Sequence, residues 1–221
     1  STGTSPKGPA NASAPLTEGD YRAIVANTPN MALHAAAFQS IGNFTVGKKE
    51  SQVAVYGVTP SFAEIRNWRA AQGRFIEEAD NTGRLRVAVI GTTLAKDLFE
   101  DADPLGQTIK LNNVPLRVIG VMESKGSSFI GDQDAVAFIP LATAQDRVYQ
   151  AQAQAKSGAR IVSAILVQGT SDEARLTIES SMRATLRERH RLQEDAEDDF
   201  TIISQTELIN TFGAVTNVLQ I

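Results

Sequence analysis

Between Arg86 and Pro140 the apolar residues come in short runs, each stopped by glycine, proline or asparagine, and this punctuation restricts the middle of the chain to short strands and tight turns. Arg86 to Ile90 reads as a strand, Thr92 to Phe99 as a helix, and Thr108 to Leu111 and Leu116 to Met122 as strands joined by Asn112-Asn113. Ala135 to Ile139 is a further strand ending at Pro140, and Ser124 to Asp132 is a Gly/Ser loop. After Pro140 an Ala/Gln-rich segment to about Lys156 is helical by propensity, with proline in the first turn where its missing donor costs nothing.

The flanks have a different texture. Leu16, Thr17, Asp20 and Tyr21 supply an N-cap hydroxyl, an acidic first turn and apolar residues on either side of the cap, so a short helix to about Ala26 is expected. Leu33 to Val58 reads as two strands around a polar turn, Gly47-Lys48-Lys49-Glu50. The second strand alternates, with Val53 and Val55 on one face and Ala54, Tyr56 and Val58 on the other. Thr59-Pro60 starts a short helix carrying Phe62, Ile65 and Trp68, and Gly73-Arg74-Phe75-Ile76 leads into a charged loop from Glu77 to Arg84. The last third reads strand, helix, strand: Arg160 to Val167, then a helix opened by a Thr170/Glu173 capping box with Ala174, Ile178, Met182 and Leu186 four apart, then Phe200 to Ser204. Ser204 and Glu207 form another capping box for a helix carrying Leu208, Ile209, Phe212, Val215 and Leu219.

At 42% hydrophobic and 21% charged residues the chain can bury a core without staples, and it has no cysteines. That removes thiol nucleophiles, zinc-cysteine sites, iron-sulfur clusters and redox switching, and leaves the compartment open. A formal charge of -4 gives the chain no overall attraction for nucleic acid or anionic lipid. No window is apolar enough over 18 or more residues to span a bilayer, and Ser1 to Pro15 lack the pattern of a signal peptide. Those residues read as a linker, and the apolar pattern running to Ile221 suggests a piece of something longer.

Several motifs that look like chemistry lose their support on inspection. Gly42 to Lys48 spells most of a phosphate loop, but Lys49 replaces the magnesium-binding hydroxyl and a strand follows where a helix N-terminus is needed. Asp101, Asp103 and Gly106 imitate a calcium loop, yet Leu105 and Asn112 occupy ligand positions. His34 and His190 lie too far apart in sequence for a local metal motif; one belongs to a strand opening and the other to a helix end. Arg183, Arg187 and Arg191 beside Glu194, Asp195, Glu197, Asp198 and Asp199 read better as a solvated, ion-paired face, because Arg175 to Glu179 and Glu179 to Arg183 are themselves helical pairs. Asn11-Ala-Ser13 and Asn43-Phe-Thr45 are glycosylation sequons only in a secretory-pathway host. No catalytic, cofactor-binding or metal-binding residue is assigned.

An ordered series carries a resemblance. It consists of Tyr56-Gly57-Val58-Thr59-Pro60 with Phe62, Gly73-Arg74-Phe75, Val87-Ala88-Val89-Ile90-Gly91, Asp103-Pro104-Leu105-Gly106-Gln107-Thr108-Ile109, Val118-Ile119-Gly120-Val121, and Ile139-Pro140-Leu141 with Thr143-Ala144-Gln145. Together with Leu16-Thr17, Asp20, Ala23-Ile24, Leu186-Arg187, Arg189-His190 and Asp199-Phe200, it resembles the extracytoplasmic core domain of MacB/FtsX-type ABC transporter permeases over about residues 16 to 221.

The resemblance implies an α+β fold: a porter-like strand-helix-strand subdomain formed by both chain ends, with an inserted mixed α/β sabre-like subdomain. The expected division is a linker over 1–15, a first porter-like segment over 16–84, the insert over 85–159, a second porter-like segment over 160–205, and a helix over 206–221 leading to a transmembrane segment. It further implies a non-catalytic role on the periplasmic side of the bacterial inner membrane, anchored by transmembrane helices outside this chain. The implied partners are a cytoplasmic ATPase domain, fused or separate, a second permease copy, and a periplasmic adaptor, with no cofactor and no nucleic acid. The cleft between residues 84–160 and the rest is the expected contact for cargo or partner. A lipid- or lipoprotein-binding module, with Phe129 and Ile130 as its mobile apolar pair, and a carboxylate-based hydrolase remain as alternatives.

Overall fold

The structure is a computed structural model and describes residues 14–128 and 131–204. The chain opens with α1 (Glu18–Asn27), whose Thr17 and Asp20 form the expected capping box. The hairpin follows as β1 (Met31–Val46) and β2 (Lys49–Val58), turning on Gly47 at φ 60°. Then come α2 (Phe62–Ile65), β3 (Ala70–Gly73), α3 (Glu78–Thr82), β4 (Val87–Ile90) and α4 (Thr92–Phe99). The middle continues with β5 (Thr108–Leu111), β6 (Val114–Met122), the two-residue strands β7 (Ser127–Ser128) and β8 (Gly131–Asp132), and β9 (Val136–Pro140). It closes with α5 (Leu141–Thr143), a π-helical turn (Ala144–Val148), β10 (Ala164–Gly169) and α6 (Ala174–Arg189).

Eight strands form one mixed sheet in the order β10-β1-β2-β9-β4-β6-β3, and β5 bonds to both β1 and β6. The circuit β1-β2-β9-β4-β6-β5 therefore returns to β1 and encloses the larger apolar cluster, which includes Phe38, Phe44, Val55, Ile90, Leu94, Leu98, Ile109, Leu116 and Ile139. A second cluster covers the opposite face. There Phe138, 1% exposed, meets Tyr56, Phe62, Trp68 and Phe75 at ring-centroid distances of 5.3–5.8 Å. The sheet and both clusters run across residues 84/85 and 159/160, so the flanks and the insert share a core; β2 and β9, one from each, pair in parallel from Ala54↔Val136 to Val58↔Pro140.

Four expectations are corrected. The Ala/Gln segment is helical only to Val148, because the π-helical turn unwinds the chain and Tyr149 turns inward, its hydroxyl donating to Ile41 O at 3.2 Å. The Thr170/Glu173 capping box does not form: α6 starts at Ala174 with no side-chain cap, and Thr170 N is already used by Asn30 O. Glu77 to Arg84 contains α3, whose capping box pairs Glu77 with Asp80. Residues 201–204 are irregular and do not form the expected strand. β3, unread in the sequence, is a short edge strand with a bulge between Ala70 and Gln72. The helix expected after Glu207 and the pair Phe129-Ile130 lie outside the described residues.

Candidate transmission site

Gly57, Thr143, Ala144 and Gln145 of the resembling series come together where residues 141–148 lie on β2. Gly57 lets α5 and the π-helical turn lie directly on β2, since a Cβ there would stand 2.4 Å from Ala144 Cβ. From that position the segment 141–148 grips both crossings. Ala142 N donates to Asn81 Oδ1 at 3.0 Å, and Thr143 Oγ1, fully buried, donates to Leu85 O at 2.8 Å. Gln145, 1% exposed, donates to Ile161 O at 2.9 Å. Asp146 accepts from Arg84 Nε at 2.6 Å and from Arg160 Nη2 at 2.9 Å, and Arg160 reaches on to Glu18 of α1 at 3.4 Å. One carboxylate thus ties Arg84 and Arg160 to each other and, through Arg160, to Glu18 of the first helix. These ion pairs are partly exposed, so their worth is in positioning more than in stability.

Both ends of the described chain converge on a second cluster. Asp20, in the first turn of α1, accepts from Thr17 Oγ1 at 2.7 Å, Thr17 N at 2.8 Å and Arg189 Nε at 2.6 Å. His190, the residue after α6, places Nε2 3.5 Å from Asp20 and Nδ1 2.7 Å from Asp199. Burial alone would raise the Asp20 carboxyl, but the hydrogen bonds from Thr17 and Arg189 outweigh it and hold it below the ordinary carboxylate range. The loop between His190 and Asp199 is folded onto α6 by Arg187, which donates to the carbonyls of Gln193, Glu194 and Ala196 and pairs with Asp198 at 2.6 Å. The entry and exit of the described chain are therefore neighbours.

Two further anchors stiffen the body. Arg74 bonds the buried Asp80 through both guanidinium nitrogens, at 2.5 and 2.9 Å, and this bond with the Glu77 amide holds Asp80 below its usual range despite burial. Burial pushes Asp134 up, but donation from Ser124 Oγ and the amides of Lys125 and Gly126 overrides it and pins the base of the β7–β8 hairpin.

The remaining sequence signals serve the fold. Gly42 to Lys48 is the end of β1 and its turn, as its strand context required. Asp103 accepts from Leu105 N at 2.9 Å and leads into Gly106 at φ 75°, a turn into β5. His34 sits in β1 and meets the Tyr21 hydroxyl at 2.8 Å. Arg183 is paired with Glu179 and Asp198. Among the described residues no group of three or more His, Asp or Glu could hold a metal ion, and no helix is long and apolar enough to cross a membrane. Sequence reasoning missed Asp146, whose partners Arg84 and Arg160 lie 62 and 14 residues away, and Asp80, whose partner Arg74 lies outside α3 six residues before it. The capping-box spacing Glu77-x-x-Asp80 was the one signal available for Asp80.

Two depressions open on the surface. One, of about 380 Å³, is lined by Ala63, Trp68, Phe75 and Ile76 with Glu64 and Glu77 at its rim. The other, of about 560 Å³, lies between Gln72 of the flank and Thr92, Lys96 and Glu100 to Pro104 of the insert.

A closed strand circuit, a segment 141–148 bonded to Arg84 and Arg160, and a contact between α1 and the end of α6 define an α+β domain. The chain belongs to the MacB-like periplasmic core domain family, which matches residues 2–185. It is 33% identical over 205 residues to the macrolide export ATP-binding/permease protein MacB of Chlorobaculum tepidum, covering 92% of this chain and 30% of that protein. It is 36% identical over 184 residues to the MacB of Rhodospirillum rubrum, covering 80% of this chain and 27% of that one. The chain thus spans less than a third of these relatives. In fold it is similar to the periplasmic region of MacB from Actinobacillus actinomycetemcomitans, with a TM-score of 0.72, 24% identity, and coverage of 90% of this chain and 83% of that one. The extracellular domain of the ABC-type transporter YknZ gives a TM-score of 0.69 at 17% identity, covering 84% of this chain and 89% of that one.

Proposed function

We propose that this domain is the non-catalytic relay of an ABC transporter permease on the periplasmic side of the inner membrane, converting ATP-driven movement of the membrane helices into displacement of a rigid body. The observation that carries this reading is the meeting of α1 with the end of α6 at Asp20, Arg189, His190 and Asp199, which brings the two ends of the described residues together. A domain inserted between two membrane helices needs adjoining ends, and packed elements held this way shift as a unit. The relatives' names, ATP-binding/permease and macrolide export, support a cytoplasmic ATPase partner, fused or separate, and an export role. A second permease copy and a periplasmic adaptor complete the assembly. Residues 85–159 form the inserted sabre-like subdomain between the porter-like segments 16–84 and 160–205, and the depression between Gln72 and Glu100–Pro104 is the surface offered to cargo or adaptor.

Cells carrying the full-length transporter with Asp20→Asn or Arg189→Gln test the relay. Export falls about tenfold, equivalent to roughly 1.4 kcal/mol of lost coupling, while ATP hydrolysis is retained. Unchanged export in both variants would remove the relay from this cluster.

A further inference from the structure

The depression of about 380 Å³ lined by α2, the start of β3 and the approach to α3 has no part in the relay. Two of its lining residues are aromatic and fixed. Trp68 and Phe75 stand edge-on to the buried Phe138, at interplanar angles of 85° and 62°, and Trp68 Nε1 donates to Glu123 O at 3.0 Å, yet both residues remain half-buried. The buried Ala63 and Ile76 complete the apolar lining. Aromatic rings held in place by a core and left partly open suit a protein partner as anchors, because little freedom is lost when they are covered.

Charge selects what covers them. Two carboxylates, Glu64 and Glu77, and one guanidinium, Arg69, also line the depression. Among the described residues Glu64 has no ion-pair partner, and Glu77 has only Arg74, at 3.8 Å, while Arg74 gives both guanidinium nitrogens to Asp80 at 2.5 and 2.9 Å. Arg69 has another carboxylate at hand, since Glu123 Oε1 accepts from its amide at 3.2 Å. Glu64 and Glu77 are therefore the charges left without compensation. The Trp68 ring already receives an ammonium: Lys125 Nζ stands 4.7 Å from its centroid while donating to Arg66 O at 3.1 Å. We propose that this depression docks a segment of a partner protein that carries a lysine or arginine next to a bulky apolar side chain. The apolar group lies against Trp68, Phe75 and Ile76, and the cation meets Glu64 and Glu77. The depression lies open on the surface, so an extended chain can run across it and leave a side chain in it. β3 beside it is bulged between Ala70 and Gln72, which discourages strand pairing and leaves recognition to side chains.

Trp68 is the only tryptophan in the sequence, so its fluorescence reads this site directly. In the 221-residue chain, its emission is followed as acetyl-Gly-Gly-Leu-X-Leu-Gly-Gly-amide is added, with X lysine, glutamine or glutamate. The lysine peptide is expected to shift the emission saturably, with half-saturation at least about tenfold below that of the glutamate peptide, because attraction to Glu64 and Glu77 turns to repulsion. The glutamine peptide should fall between them. Glu64→Gln combined with Glu77→Gln is expected to bring the lysine and glutamate peptides within about threefold of each other. Glu64→Gln alone, at an exposed position, lowers the ratio in the same direction and keeps the test if loss of the Glu77 capping box unfolds the double variant. Unchanged emission with all three peptides, equal half-saturation for lysine and glutamate, or a preference undiminished in Glu64→Gln would each overturn the proposal. Butylammonium chloride saturating the same shift at the same concentration as the lysine peptide would assign the site to a free amine and overturn it too. None of these readouts involves transport, so they stand or fall apart from the relay.

Discussion

The face of the sheet around Phe138 and the corner where α1 meets the end of α6 are held by opposite physics. At Phe138 five aromatic rings interlock and the central ring is 1% exposed, an arrangement with one good packing and a steep cost for any other. At Asp20 the contacts are hydrogen-bonded ion pairs, with Arg189 40% exposed. Such bonds can be exchanged for water or for new partners at modest cost. The contrast suits a body that must stay rigid while its connection to the membrane adjusts. It also separates the residues whose loss unfolds the domain from those whose loss uncouples it.

The sharpest way to break this contrast is Phe138→Ala, which should cost about 4 kcal/mol, the sum of lost transfer and the cavity left behind. Urea unfolding of the variant measures it; a loss near 1 kcal/mol would mean that the aromatic face is no more rigid than the corner. Asp80→Ala should cost about 2 kcal/mol, reduced by solvent reaching Arg74, which is 40% exposed. The same carboxylates set the pH response. Asp20, Asp80 and Asp134 are all held below their ordinary value, so their contribution is present above the unfolded-state value of about 4 and is lost as pH falls through the native values. Unfolding free energy should be flat from pH 7 to about 5 and drop below about pH 4. At the alkaline end burial pushes Tyr149 up to about 12, so stability should decline from about pH 10 upward, and Tyr149→Phe should abolish that component. Thr17→Ala, which removes one side of the capping box of α1, should cost about 1 kcal/mol. Glu179→Ala, on the solvated face of α6, should stay within about 0.5 kcal/mol of the parent, as exposed helical pairs do.

Sequence reasoning succeeded where the signal is local. The limits of α4 and β5 follow from Gly91, the Asp103-Pro104-Leu105-Gly106 turn and Asn112-Asn113, and the α1 capping box needs only Thr17 and Asp20. It failed where tertiary contact decides. Glu77 to Arg84 looks like a loop because its charges hide a helix whose key carboxylate, Asp80, is buried against Arg74. The Ala/Gln segment has helix propensity, yet the burial of Tyr149 turns the chain away. β3 carries no strand signature because its position at the sheet edge is fixed by β6. The carboxylate that joins the two crossings, Asp146, could not be singled out, since Arg84 and Arg160 lie 62 and 14 residues away in sequence. The series that carries the family resemblance was legible as a pattern, and the structure gives its physical content: Gly57, Thr143, Ala144 and Gln145 are the residues through which the segment 141–148 grips the sheet and the crossings.

The most direct measurement is a distance between spin labels at Lys110→Cys in β5 and Ala184→Cys in α6, both exposed sites, in the full-length transporter without nucleotide and trapped with ATP. A rigid relay predicts one narrow distance that is the same in both states while the domain moves against its surroundings. A distance that shifts by several ångströms or splits in two between the states would show that the flanks and the insert move against each other.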